Sequence, residues 1–456
     1  MATVVLGVAG LATQAGLWYA DYARLQTAAD AAATAGAVGI AAGESSAQYM
    51  ASANYVLQQN GFASGQGGVT VTINAPPATG PHAGNSSAVE VLLTAPTSLS
   101  FTRLFLATAP TLHTRSVAMY QASNATCVLA LSGTITMSGG AQLNANGCTV
   151  GTNNTGSNAV SLSGGAALSA YTVVSAGGIQ TDGGASMSLT KPQSSNHVAT
   201  ADPLAALQGL ALPPSRTFSP ASCNPVTFAN PNSTTTLAPG TYCAATVAAG
   251  NTLDLSGGSY VFNGGIAVSG SGALNIAGAA TTLYVNGDVN VSGSSPLNIA
   301  PGTYFINNGS LIVTGGGSLG CGACSAGGTG ASFVLMGGNP GTMQISGGAP
   351  VSFSAPASSN YNAALNGVAI YEVPADNGTN TLSGSGTLSV QGAVYTPGAA
   401  LDISGGAGTS SATCLFLVAA SLTLTGSGNA SNTNCTNYGY TWAGNASTPN
   451  GVTLVE

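Results

Sequence analysis

The sequence predicts a mainly β protein with a long N-terminal α-helix: a parallel β-helix (β-solenoid) following a small α+β module. Three observations lead there. Met1–Gly43 has no proline, and its first charge is Asp21. Residues 44–122 hold two helical stretches and three strands. From 123 to 456 a short alternating theme, broken by Ser-Gly-Gly turns, recurs many times. The expected divisions are 1–43, 44–122 and 123–456, with a Pro-rich excursion from the solenoid at 191–240.

The uncharged start of the chain is about as long as a helix needs to be to cross a bilayer core. Trp18, Tyr19 and Tyr22 stand where charge resumes, as aromatic residues do at a membrane interface. The Ala-rich continuation favours helix as far as Gly43. Such a rod would be about 65 Å long. It belongs in a membrane, in a filament core, or in both. Small residues recur along it at Gly7, Gly10, Ala15, Gly16 and Ala20, then at Ala28, Ala29, Ala32 and Gly36. They let helix backbones approach closely. Two readings follow, a simple membrane anchor and packing into a helical assembly. The expected packing contacts are Gly7, Gly10, Leu11, Gly16, Leu17 and Leu25.

Residues 45–59 predict a second helix with Tyr49, Met50, Ala53, Val56 and Leu57 on one face and Gly61 as its stop. Strands are expected at 69–75, 88–94 and 112–121, and a short helix at 98–107. A long helix with a small sheet is an α+β arrangement.

Beyond Asn124 the chain reads TITMSGGAQLNAN at 134–146, VSLSGGAALSAY at 160–171 and IAVSGSGALNIAG at 266–278, with many relatives up to LTLTGSGN at 422–429. Within each arm the apolar residues alternate, for example Ile135 and Met137, then Leu143. Period two places them on one face of a strand. Recurrence at short intervals is the mark of stacked repeats that bury their inner faces on one another. Ser, Thr and Asn can ladder between repeats where like charges would repel. Residues 191–240 break the theme; Asp202 and Pro203 open a short helical piece there, expected to reach Leu210.

Only 4% of the 456 residues are charged, and glycine numbers 65. A net charge of −7 with five basic residues excludes a basic nucleic-acid footprint. Eight cysteines are an even number. Cys127 and Cys148, Cys223 and Cys243, and Cys414 and Cys435 each lie about twenty residues apart, while Cys321 and Cys324 form CGAC. Such pairs without histidine neighbours suggest disulfides and an oxidising compartment. A loop of that size gives about 3 kcal/mol per bridge in the chain-entropy model. Eight cysteines allow about 105 connectivities, so the pairing stays open.

No catalytic, cofactor or metal site is expected. Asp182, Asp202, Asp254, Asp288, Glu372, Asp376 and Asp402 are scattered, whereas acid–base pairs need close spacing. Glu372 and Asp376, the nearest pair, read as a solvated loop or a calcium contact. Asp254 and Asp402, each in an LD[LI]SGG segment, are expected to bond turn amides. Nothing brings His82, His113 and His197 together.

The stretch GVAGLATQAGLWYADYARLQTAADAAATAGA at 7–37 resembles the N-terminal region of TadG-like proteins of the Flp pilus (tight adherence) system. VEVLLTAPTSLSFTRLFLATAPTLHTRSVAMY at 89–120 resembles the end of that family's first module. CVLALSG at 127–133, ADPLAAL at 201–207, PGTYC at 239–243, PGTYFINNGSLIVTGGG at 301–317, GVAIYE at 367–372 and GAVYTPGAALDISG at 392–405 resemble long members of the group. Family members usually begin with basic residues and a longer apolar run, inside which Met1 falls. The resemblance implies a pilus-assembly protein of the bacterial envelope, either inner-membrane anchored with a periplasmic domain or part of an extracellular filament. It implies a pilin-like first module and no catalytic residues. The expected partners are the membrane and, through the helix, other copies or pilus and secretion-system components. A rival reading is a carbohydrate-binding surface adhesin, with Tyr361, Tyr371, Tyr438, Tyr440 and Trp442 lining a groove for surface glycans. A polysaccharide-active enzyme is the second rival.

Overall fold

A computed structural model describes residues 2–41, 44–104, 106–122, 126–213, 223–278, 281–375, 378–409, 414–431 and 449–455. The chain is mainly β with an N-terminal helix, and it divides into two compact units. Met1–Ser123 with Ser447–Glu456 is the first, and Asn124–Ala446 is the second. The helix is thus part of the first unit, and no boundary falls at 43/44. The end of the chain also belongs to the first unit.

In the first unit, α1 spans Ala2–Ala41 and α2 spans Ser46–Gln59. Three strands follow, β1 (Thr70–Asn74), β2 (Ala88–Pro96) and β3 (Thr111–Ala122). The sheet order is β1, β2, β3 and then Pro449–Leu454, antiparallel throughout. Entry to α2 is fixed by Ser45, whose backbone N–H donates to Gln48 Oε1 at 2.9 Å. Its exit is fixed by Gly61 at φ +85°, a conformation that favours glycine. The expected helix at 98–107 is only a short 3-10 turn, Phe101–Leu104. The core joins Leu25, Ala28, Ala29, Ala32, Ala33 and Ala37 of α1 to Ala53 and Leu57 of α2 and to Val89, Val91 and Leu93 of β2. A Cβ on Gly36 would stand 3.0 Å from the Val89 side chain. The small residues in the second half of α1 therefore bring the helix close to elements of its own unit, to β2 at Gly36 and to α2 at Gly39, where a Cβ would stand 2.6 Å from Tyr49 Cβ.

No described helix is long and apolar enough to cross a membrane, so the expected transmembrane helix is not present among the described residues. The apolar run is diluted by Gly, Ala, Thr13 and Gln14, and polar residues follow it directly.

The second unit holds one sheet whose pairings are all parallel. The alternation seen in the sequence becomes burial on one side: Ile135, Met137 and Leu143, like Ile266, Val268 and Leu274, are at most 1% exposed. Parallel pairing continues as far as Ser194 and resumes with a bridge from Asn224 to Tyr242, so the excursion is shorter than 191–240. The expected helix at 202–210 is a 3-10 turn, Ala205–Gly209.

Pairing does not follow chain order. The first strands, in 126–152, lie in the interior of the sheet. On one side they pair with 160–175, which pair in turn with 179–189. On the other side they pair with the last strands, Leu415–Leu424 and Asn429–Ser431. The sheet then runs back through Thr387–Ile403 and on to Thr234–Leu237 at its other edge. The two edges of the sheet are thus neighbours in the sequence, one ending with the bridge at Ser194 and the other beginning with the bridge at Asn224.

Two features explain the repeated turn. In many of these turns the first glycine has φ between +60° and +75°, as at Gly139, Gly405 and Gly426. These glycines also stack: a Cβ on Gly405 would meet Gly384 O at 3.0 Å, and one on Gly139 would meet Gly426 O at 3.0 Å. Amide ladders run beside them. Asn298 Nδ2 donates to Asn275 Oδ1 at 2.8 Å, and Asn275 Nδ2 to Asp254 Oδ1 at 2.9 Å. Asn307 Nδ2 donates to Asn286 Oδ1 at 2.7 Å. Asp254 is therefore a ladder residue within a strand, and it does not bond turn amides as expected.

Candidate assembly surface

The first half of α1 behaves differently from the second. Gln14, the one amide in the apolar run, is fully buried. Its Nε2 donates to Ser98 O at 3.0 Å and its Oε1 accepts from Ser100 N at 3.0 Å. Trp18 Nε1 also donates to Ser98 O, at 3.3 Å. These bonds hold the segment after β2 against the helix. A glutamine four residues before a tryptophan was the sequence signal for this clip, and it was missed.

Beside that line, Leu11, Ala15, Trp18, Tyr19 and Tyr22 share one helical stripe, spaced i, i+4, i+7, i+8 and i+11. Leu11 is 57% exposed and Tyr19 is 76% exposed. Leu17, on the other flank of Gln14, is 48% exposed. Leu106 adds a further exposed apolar side chain in the same unit. Of the expected packing contacts, Leu11, Gly16 and Leu17 are exposed and Gly10 is buried. The environment of Gly7 lies outside the described side chains. Leu25 is 1% exposed in the core of its own unit, so it is not available to a partner helix. Asp21 and Arg24 border an open cleft of about 430 Å³ that also touches Asn60, Gly61, Gln66 and Ser98.

A polar cluster pins the loop between β1 and β2. Glu90 Oε1 accepts from Arg115 Nε at 2.7 Å, and Oε2 accepts from Asn74 Nδ2 at 2.7 Å and Ala78 N at 3.1 Å. Arg115 also donates to Thr79 O at 2.8 Å. Burial pushes the Glu90 carboxyl upward, but the donors from Asn74, Ala78 and Arg115 outweigh it and hold the group below the ordinary carboxylate range.

In the second unit, disulfides join Cys127 to Cys148, Cys223 to Cys243 and Cys321 to Cys324. Cys414 is also disulfide-bonded, and Cys435 lies outside the described residues. The aromatic groove expected for a glycan is not assembled from Tyr361 and Tyr371. Tyr371 is 1% exposed, and its hydroxyl donates to Leu207 O at 2.8 Å. Tyr361 is half-buried, edge-on to Phe305 with centroids 4.8 Å apart, and donates to Ala211 O. Tyr438, Tyr440 and Trp442 lie outside the described residues. Glu372 ends a strand, is 1% exposed and accepts from Asn380 Nδ2 at 2.7 Å, so it is no solvated loop residue; Asp376 lies outside the described residues. Among the described residues no three His, Cys, Asp or Glu side chains gather as metal ligands would.

Comparison with family models, with characterised proteins and with solved structures finds no match for the chain.

Proposed function

We propose that the protein is a non-catalytic structural subunit of a bacterial surface filament, or a TadG-like accessory of its assembly, which packs through the first half of α1 and displays the second unit outward. The observation that carries this reading is the division of α1. Its second half is committed to the core of its own unit, while the first half turns Leu11, Leu17, Tyr19 and Tyr22 to solvent. An apolar stripe on a helix clipped at Gln14 is a preformed surface for helix packing. We read the second unit as a β-solenoid, on the support of its parallel ladders and stacked left-handed glycines. Such a wall, nearly free of charge, suits an outer surface stabilised by disulfides. Packing in a filament replaces membrane crossing in this reading.

Negative-stain microscopy of the purified chain tests it. Filaments or regular oligomers are expected. Leu11→Glu should abolish them while leaving thermal unfolding unchanged, and Gly16→Leu, whose Cβ projects into open space, should abolish them without lowering it. Single particles from the unaltered chain under all assembly conditions, or unchanged assembly of both variants, would overturn the proposal.

A further inference from the structure

The second unit closes on itself where its last strands pair with its first. Val128 pairs with Leu417, Ile135 with Leu422 and Leu143 with Ala430. This joint is made of backbone hydrogen bonds between residues nearly 300 apart in sequence, such as Leu131 N to Ala419 O at 2.8 Å and Ser138 N to Leu424 O at 2.9 Å. The Cys127–Cys148 bridge lies wholly on one side of it.

Residues 200–212 span this joint. On the side of the first strands, Asn153 and Thr200 exchange two bonds: Asn153 Nδ2 to Thr200 O at 2.9 Å, and Thr200 N to Asn153 Oδ1 at 2.7 Å. On the other side, beyond Leu415–Leu424, Tyr395 donates to Asp202 Oδ2 at 2.6 Å and accepts from Gln208 Nε2 at 2.7 Å. Tyr371 then holds Leu207 O. Leu204 and Leu207 are buried between these anchors.

We propose that residues 200–212 form a clasp that keeps the joint shut, and that releasing the clasp lets the joint open and exchange strands with a second copy of the chain. An opened joint exposes two parallel edges on each molecule. Leu415–Ser431 of one copy then meets on 126–145 of another the same register that it leaves on its own chain. Strand exchange of this kind is a low-cost route to dimers because every contact is already native. The apolar alternation fixes the register in both arrangements.

Two full-length single variants, Thr136→Cys and Thr423→Cys, test this when mixed. These positions are register partners across the joint and both are half-buried. A disulfide between the two variants therefore reports an exchanged joint where it exceeds the dimer that either variant forms alone. In the background Asn153→Ala with Tyr395→Phe, cross-linked dimer on non-reducing gels should rise roughly tenfold over the unaltered clasp, as expected for loss of clasp hydrogen bonds. Two controls keep the result readable. Both cysteines in one chain must cross-link internally, which shows that the pair is competent. Val268→Ala, remote from the joint, should weaken the unit without raising the dimer. Equal dimer with and without the clasp changes, or an equal rise with Val268→Ala, overturns the proposal.

Discussion

Arg115 Nε meets Glu90 Oε1 at 2.7 Å, and the carboxylate is fully buried while the guanidinium stays partly in solvent. The pair ties β3 to β2, and through Asn74 and Ala78 it ties both to the loop that follows β1. Glu90 titrates below its ordinary value of 4.5 in the folded state. A depressed folded value means that its contribution is complete above the unfolded value and is lost as pH falls through the folded one. The first unit should therefore lose stability progressively below about pH 4.5. Glu90→Gln should cost about 1.5–3 kcal/mol at pH 7, the worth of hydrogen bonds to a charged group, and should flatten the acid limb. Urea unfolding at pH 7 and pH 3.5 would check both.

Leu25 and Leu17 lie on one helix but in opposite surroundings, 1% and 48% exposed. Leu25→Ala should destabilise the first unit by about 2–5 kcal/mol. Leu17→Ala should change it by about 0.5 kcal/mol or less. Equal effects in thermal unfolding would mean that the two halves of α1 do not divide as described.

Gly405 and Gly16 should respond to alanine with opposite signs. Gly405 has φ +68°, and a Cβ there would press on Gly384 O. Gly405→Ala should cost at least about 1–2 kcal/mol from the left-handed conformation alone. Gly16 sits in an exposed helix with open space at its Cβ. Gly16→Ala should stabilise by roughly 0.8–1 kcal/mol. Calorimetry of the two variants gives the comparison directly.

Burial pushes the Tyr371 phenol up to about 12. A raised folded value means a contribution that is complete below the unfolded value and is lost as pH rises through the folded one. With the unfolded value at 10.0, the second unit should weaken from pH 10 to 12. Tyr371→Phe should remove part of that alkaline loss, and absorbance titration should show one fewer late-ionising tyrosine.

Much of the fold was legible because it is written in short periods. The helix at 46–59 was visible in its apolar face and in the stop at Gly61, and β2 and β3 were visible in their alternation. The inner residues of the repeats, such as Ile135 and Val268, follow from period two alone. Cysteine spacing suggested the three bonded pairs without being able to choose among connectivities. The surface was half legible. Leu11, Gly16 and Leu17 could be named from the sequence, but the burial of Leu25 and the clip of Gln14 to Ser98 depend on what folds back against the helix.

The sequence by itself determined the two α-helices, the alternating strands and the glycine turns, because side-chain period and glycine placement act over a few neighbouring residues; the pieces at 98–107 and 202–210, too short for that period to decide, became 3-10 turns. Only the tertiary structure decided which strand pairs with which. The Ser-Gly-Gly segments are nearly equivalent partners, so no local signal announces that 126–152 lies in the interior of the sheet and receives the last strands. That order rests on contacts such as Tyr395 with Asp202, which join residues far apart in the chain through distances that only folding can bring about.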